Sequence, residues 1–309
     1  MKKMRIPLLI SLGVAIIGII FGSFFDLQIS QAIASASNGF ALTVSAIGPM
    51  IGFGAVSLMA GGLLAYGIHG KYHIALRIVF FVLAAAAFGV AVKFSSSEWF
   101  GINGFYGAAP EWVGYLVVIL PEAAAVVGGY FLFRNCSNKN MWIVFLIVIA
   151  VLGLALVAII PPLKSFIHRP RYRFLATSDL ALYHNWWEPC KDYKDIMLSW
   201  GLDPNSSDMK DHFKSYPSGH TAEASILILG ATLFPLADKK LEKYQLPAFF
   251  VGVGVTLLVA LARILAAAHF LSDVSTGATI VILLTFIANE VVIHIKALHP
   301  EEEKPEEAK

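Results

Sequence analysis

Charge is scarce in this chain. Asp, Glu, Lys and Arg make up only 14% of its 309 residues, and the formal net charge is +2. No basic stripe interleaved with aromatics is present, which excludes a nucleic-acid partner. Cysteine is nearly absent: Cys136 and Cys190 are the two copies, with no metal-ligand spacing between them. No low-complexity tract and no stretch polar enough for a soluble domain interrupts the sequence. What is abundant is apolar: 57% of residues are hydrophobic and the mean hydropathy is +0.71. A water-soluble fold cannot hide that much apolar surface, so lipid must be the chain's main solvent.

A spanning helix needs roughly 20 predominantly apolar residues. Eight stretches qualify: Ile6–Phe25, Ala41–Gly67, Ile74–Phe94, Trp112–Phe133, Met141–Ile160, Gly219–Ala237, Pro247–Ala268 and Val274–Ile295. Lys and Arg in the short loops orient them. Lys2, Lys3, Arg5, Lys71, Arg77, Arg134, Lys139, Lys239, Lys240 and Lys243 share one side, whereas the opposite loops Asp26–Phe40 and Ser95–Glu111 carry none. Lys93, at the far end of its span, can snorkel. The expectation is a multi-pass protein of the plasma membrane with both termini cytoplasmic, and Cys136 and Cys190 on opposite sides and unable to pair. A signal peptide ending at Ala34-Ser35-Ala36 is the alternative for the first span. Its apolar run is longer than the usual signal core and ends well before that site, which favours an uncleaved anchor.

Chemistry-bearing residues gather in three places. The long outer segment 161–217 breaks the charge rule with Lys164, Arg169, Arg171, Arg173, Lys191, Lys194, Lys210 and Lys214, and an anion site gives a reason. Lys164 and Arg171 stand seven apart, about two helical turns, although Pro170 interrupts a continuous helix. Next comes Tyr216-Pro217-Ser218-Gly219-His220, entering the sixth span: Ser218 is placed as an N-cap, Gly219 permits close backbone approach, and the helix start attracts an anion. The third cluster is Arg263 with His269 and Asp273, the latter two at i,i+4 spacing. A carboxylate there can orient an imidazole and stabilise its cation. Arg263 sits in the apolar run LLVALARILAAAH with no counter-charge, and a bound phosphate would supply one. All three clusters fall on one side of a topology obtained without them. Fixed cations and amides can stabilise a phosphoryl transition state without a metal.

In order and spacing the clusters resemble the signature of the type 2 phosphatidate phosphatase superfamily, which includes glucose-6-phosphatase and the vanadium haloperoxidases. The pattern is Lys-x6-Arg-Pro, then Pro-Ser-Gly-His, then Ser-Arg-x5-His-x3-Asp. Tyr172 stands where the family has proline and Ala262 where it has serine; Asp273-Val-x-x-Gly277 follows the family's continuation. The eight apolar runs predict an all-α membrane bundle of about eight helices, and the resemblance, over about residues 141–296, implies a phosphatidate-phosphatase-like core within it. Its parts would be four N-terminal spans in 1–140, a catalytic core in 141–296 carrying the outer loop 161–217, and a charged cytoplasmic tail in 297–309. The resemblance also assigns roles: His269 the nucleophile, Asp273 its orienting partner, His220 the acid for the leaving oxygen. Lys164, Arg171, Ser218, Gly219 and Arg263 would hold the phosphate, with no metal and no cofactor.

The implied activity is hydrolysis of a lipid phosphate monoester or pyrophosphate (phosphatidate, phosphatidylglycerol phosphate or a polyprenyl pyrophosphate) at the outer face. The alternatives are phosphotransfer to a lipid or sugar hydroxyl, and transport of a lipid phosphate without cleavage. Substrate lipid and bilayer lipids are the expected partners, with oligomeric state left open. The helices of 74–133 are additional to the family's usual six. Segment 174–215, with Trp186, Trp187 and Trp200, reads as an interfacial cover or a substrate-selecting lid. Glu122 lies inside an apolar span, and Glu290, near the cytoplasmic end of the last span, is expected to snorkel or to pair locally.

Overall fold

The computed structural model describes residues 1–101, 111–136, 138–206 and 211–298. Most of the Ser95–Glu111 loop, Lys210 and the tail beyond residue 298 lie outside them. Among the described residues there are helices and no strand, as the apolar runs require: in lipid a helix satisfies its backbone within one segment. The long helices are α1 (Arg5–Ile33), α2 (Gly39–His69), α3 (Ile74–Gly101), α4 (Glu111–Phe133) and α5 (Met141–Gly153). Then come α6 (Ile160–Ile167), the short α7 (Tyr172–Leu175) and α8 (Tyr193–Ser199), α9 (Gly219–Ala224), α10 (Ile226–Leu233), α11 (Gln245–Leu265) and α12 (Leu271–His294). Among the described residues, eight helical stretches are long and apolar enough to cross a membrane, and the chain is a multi-pass membrane protein.

Helix α2 is the hub. It packs against α3 and α4 on one side and against α9, α10 and α11 on the other, burying Phe53, Val56, Met59 and Leu63. Glu122 of α4 is buried against it and accepts hydrogen bonds from Ser57 of α2 (2.5 Å) and Ser95 of α3 (2.8 Å). An acid that looks misplaced in an apolar span is thus satisfied by two hydroxyls, the condition for keeping a polar group in lipid. Glu290 pairs across the bundle, its carboxylate taking Nε and Nη2 of Arg5 at 2.8 and 2.6 Å. That clasp joins the start of α1 to the end of α12, so these two helices run antiparallel.

Three helices run well past their expected ends: α3 continues from Phe94 to Gly101, and the other two do so for visible physical reasons. Helix α1 does not stop at Phe25 but continues to Ile33, because Asp26 is buried (1% exposed) against α12 rather than facing water. The fifth span continues beyond Ile160. Pro161 and Pro162 lack the N–H groups that would close the preceding turns, and the chain passes through a π turn, Leu154–Ile159, before resuming as α6. Helix α6 then ends at His168, whose φ of 48° is left-handed, and Arg169 cannot continue a helix before Pro170. Lys164 and Arg171 therefore do not share a helical face as their spacing suggested. They come together across a helix end and a loop.

Candidate active site

The site is built where α11 ends and α12 begins. After Leu265 the chain passes through Ala267 at φ 55°, a left-handed conformation that a non-glycine residue adopts at a cost. The turn is held because Ala268 N and His269 N both donate to the Arg263 carbonyl (3.1 and 3.2 Å), and Arg173 N donates to the Ala267 carbonyl (2.8 Å). Its effect is to fold His269 back over the end of α11.

His269 is buried, and its Nδ1 lies 2.6 Å from the Ser215 carbonyl oxygen. A carbonyl can only accept, so Nδ1 carries the proton and Nε2 keeps its lone pair. Nε2 faces the Arg171 guanidinium, whose Nη1 is 3.2 Å away. Burial, followed by the charges of Arg171, Arg263 and Lys164 and then by His220, holds this imidazole well below the ordinary histidine value. All three sequence-predicted cations and the second histidine therefore lie close enough for their charge to act on this imidazole.

Each of these groups is fixed by its own element. Lys164, on α6, donates to the Lys214 carbonyl at 2.8 Å. Arg171 donates from Nη1 to the Ala268 carbonyl at 3.0 Å and from Nη2 to Asp211 at 2.7 Å. Arg263 is in the last turn of α11. Ser218 caps α9, as its position implied: its Oγ accepts from Thr221 N at 3.4 Å. Ser218 N donates to the Asp273 carbonyl at 3.0 Å, tying the second motif to the third. Gly277 permits that contact, since a Cβ there would run into the Ser218 carbonyl. A Cβ on Gly219 would meet only Glu223, at 3.9 Å, so the first turn of α9 is open toward a ligand. Helix starts leave N–H groups unpartnered, and there they can bind an anion.

Asp273 stands differently from the i,i+4 arrangement. His269 precedes α12, so the two residues do not share a helical face, and Asp273 Oδ2 is 3.7 Å from Nδ1. Asp273 instead accepts from Ser215 Oγ (2.5 Å) and from Phe270 N (2.8 Å), while its other oxygen takes Arg169 Nη1 at 2.6 Å. Its hold on the imidazole runs through Ser215, which presents its carbonyl to Nδ1.

Sequence reading missed two carboxylates. Asp211 bridges Arg171 and Arg173, at 2.7 and 2.6 Å. Although burial works to raise it, these guanidiniums hold its carboxyl below the usual range. Asp26, from α1, is the other. Arg169 is fully buried and divides its guanidinium between Asp273 and Asp26 (2.6 and 3.0 Å), with Phe270 beneath it at 4.3 Å. Asp26 Oδ1 also accepts from Ser272 N at 2.9 Å, and its Oδ2 from the Ser272 hydroxyl. Gly22 allows this approach, because a Cβ there would lie 2.6 Å from Ser272 N. Arg169, counted from sequence as extra charge, is thus a strut. An acid near the end of an apolar helix was the available signal for its partner.

Among the described residues of 174–215, Phe174, Leu175, Cys190, Met197 and Phe213 form a small core with Phe270. Trp186 stacks on Tyr216 and donates to Ser23 of α1 at 2.9 Å. Among the described residues, His184, Cys190 and Asp192 form a group that could hold a metal.

A helical membrane bundle that surrounds one buried imidazole with three cations can hold an anion there. The family comparison agrees: residues 141–294 match the model described as the PAP2 superfamily, and the chain belongs to that superfamily. This is the type 2 phosphatidate phosphatase superfamily that the three motifs indicated. No curated protein and no solved structure matches the chain. Membership suggests phosphatase-type activity on phosphate esters.

Proposed function

We propose that this protein hydrolyses a lipid phosphate monoester or pyrophosphate at the outer face of the plasma membrane, through a phosphohistidine on His269. The observation that carries the proposal is the state of His269: Nδ1–H is committed to Ser215, and Nε2 faces a guanidinium without a proton of its own. Nε2 is thus the ring nitrogen with a lone pair, accepting from Arg171 here, and it would attack phosphorus once a phosphate draws that guanidinium onto its own oxygens. Lys164, Arg171 and Arg263 would neutralise the phosphoryl oxygens, and the amides at the start of α9 would add donors. The charge that a metal often supplies is here supplied by the side chains themselves.

In the first step Nε2 attacks phosphorus, the P–O bond to the lipid breaks, and protonated His220 gives its proton to the departing oxygen. The imidazolium that develops keeps its Nδ1–H on the Ser215 carbonyl, with Asp273 close enough to offset its charge. In the second step water attacks phosphorus, His220 takes the water's proton, the P–N bond breaks and inorganic phosphate leaves. A substrate whose tails stay in the bilayer suits a site at the end of a helical bundle. The outer assignment rests on Lys and Arg gathering at the other end, where Arg5 and Lys3 clasp Glu290 and Glu242.

The test is to quench the enzyme during turnover of a radiolabelled lipid phosphate. Protein-bound phosphate should be acid-labile and base-stable, and absent from His269→Ala. Turnover in isotopically labelled water should place one solvent oxygen in each phosphate released. Turnover by His269→Ala would refute the nucleophile, and product phosphate without solvent oxygen would point to transfer instead of hydrolysis.

A further inference from the structure

We propose that His184, Cys190 and Asp192 bind a zinc ion that pins the segment 174–215 to the base of the active site. An imidazole, a thiol and a carboxylate converge there, with their ligand atoms within 4.8 Å of one another and Cys190 Sγ 3.6 Å from Asp192 Oδ1. A tetrahedral zinc site separates sulfur and nitrogen ligands by about 3.5 Å, so closing this group asks for movements of about 1 Å. The donor set selects the metal: thiolate and imidazole favour zinc over magnesium or calcium, which take oxygen. Cys190 is in no disulfide and is 1% exposed within an apolar cluster. His184 is half-buried and Asp192 exposed, so an ion can enter from water and keep a water as its fourth ligand. On binding, the S–H bond breaks, sulfur bonds to zinc and the proton goes to solvent.

The ligands sit on the backbone that supports the first motif. The His184 carbonyl accepts from Arg169 Nε at 2.9 Å, the neighbouring Tyr183 hydroxyl from Arg169 Nη2 at 3.0 Å, and Cys190 N donates to the Ile167 carbonyl at 2.9 Å. Zinc joining residues 184, 190 and 192 would therefore brace both ends of the turn that carries Arg169, the strut of Asp273. Sequence spacing hid the group, because His-x5-Cys-x-Asp matches no familiar ligand pattern.

Cobalt is the probe. Full-length protein without an affinity tag, purified in detergent and stripped of metal, is titrated with Co²⁺ and then with Zn²⁺. One equivalent of cobalt should give a thiolate charge-transfer band in the near ultraviolet, and zinc should displace it. Cys190→Ser should lose the band and Cys136→Ser keep it, whereas His184→Gln and Asp192→Asn should each weaken binding about tenfold or more. Zinc should raise the unfolding temperature of the wild type and of Cys136→Ser, but not of Cys190→Ser. Asp192 is exposed, so Asp192→Asn should fold whatever happens to the buried cysteine. A band that survives Cys190→Ser, equal affinity in Asp192→Asn, or no stoichiometric binding in the wild type would overturn the proposal.

Discussion

Replacing Asp26 by Asn tests whether α1, which lies outside the matched family region, helps to build the site. The amide keeps the shape and an oxygen for Ser272 N, now 2.9 Å from Oδ1. It loses the charge that faces Arg169 Nη2 at 3.0 Å, and it sets an N–H₂ donor against a donor. A hydrogen bond to a charged group contributes about 1.5–3 kcal/mol. Nη1 keeps Asp273 at 2.6 Å and Nη2 keeps the Tyr183 hydroxyl at 3.0 Å, so the expected loss stays at about 2–3 kcal/mol; both side chains are 0% exposed and water cannot substitute. The disturbance then runs from Arg169 to Asp273, from Asp273 to Ser215 Oγ, and from the Ser215 carbonyl to His269 Nδ1. Supporting partners of this kind are worth about 10–100-fold in activity. Arg171, Lys164 and Arg263 keep their own anchors, so the loss should fall on kcat and leave KM within a few-fold. The assays are thermal unfolding of the detergent-purified protein and steady-state phosphate release, with Asp26→Glu as a partial rescue. Asp26→Asn with unchanged stability and unchanged kcat would refute the strut, and a loss confined to KM would move Asp26's role to binding.

Three further outcomes follow from the same geometry. His220→Ala should cost far more on a lipid phosphate than on a nitrophenyl phosphate, whose leaving group needs little protonation, whereas His269→Ala should abolish both; equal losses for His220→Ala on the two substrates would count against its acid role. Because burial and then Arg171 hold His269 below the ordinary histidine value, the unfolded chain binds the extra proton between about pH 6.5 and that lowered value. The stability it contributes is present above that window and lost as pH falls through it, so His269→Gln should unfold less steeply on acidification than the wild type, as thermal scans at several pH values will show. For topology, Cys190 is too buried to serve as a reporter, but Ser199 is exposed. In intact cells Ser199→Cys should react with an impermeant thiol reagent and Lys139→Cys should not; the reverse pattern would invert the orientation.

Much of this architecture is legible in the sequence because two of its signals are local. A run of about twenty apolar residues predicts a helix by itself, and the start of α9 follows from Ser218 and Gly219 alone. The less legible part is whatever depends on a residue's distant partner. Arg169 and Arg171 are two positions apart with the same charge, yet one is a fully buried strut and the other faces Nε2 of His269. The difference is made by Asp26 and Asp211, which are remote in sequence and belong to no motif. The imidazole's direct partner was invisible for the same reason: it is the backbone carbonyl of Ser215, and any residue type offers a carbonyl. The two halves of the chain also meet here in a way no motif records. The family match begins at residue 141, but the second carboxylate on buried Arg169 comes from α1, whose Asp26 also takes Ser272 N, and α1 can lie that close only because residue 22 is glycine. A fragment limited to residues 141–294 would hold every motif residue and still lack the Asp26 carboxylate, so the physical unit around His269 is larger than the family match and draws on α1.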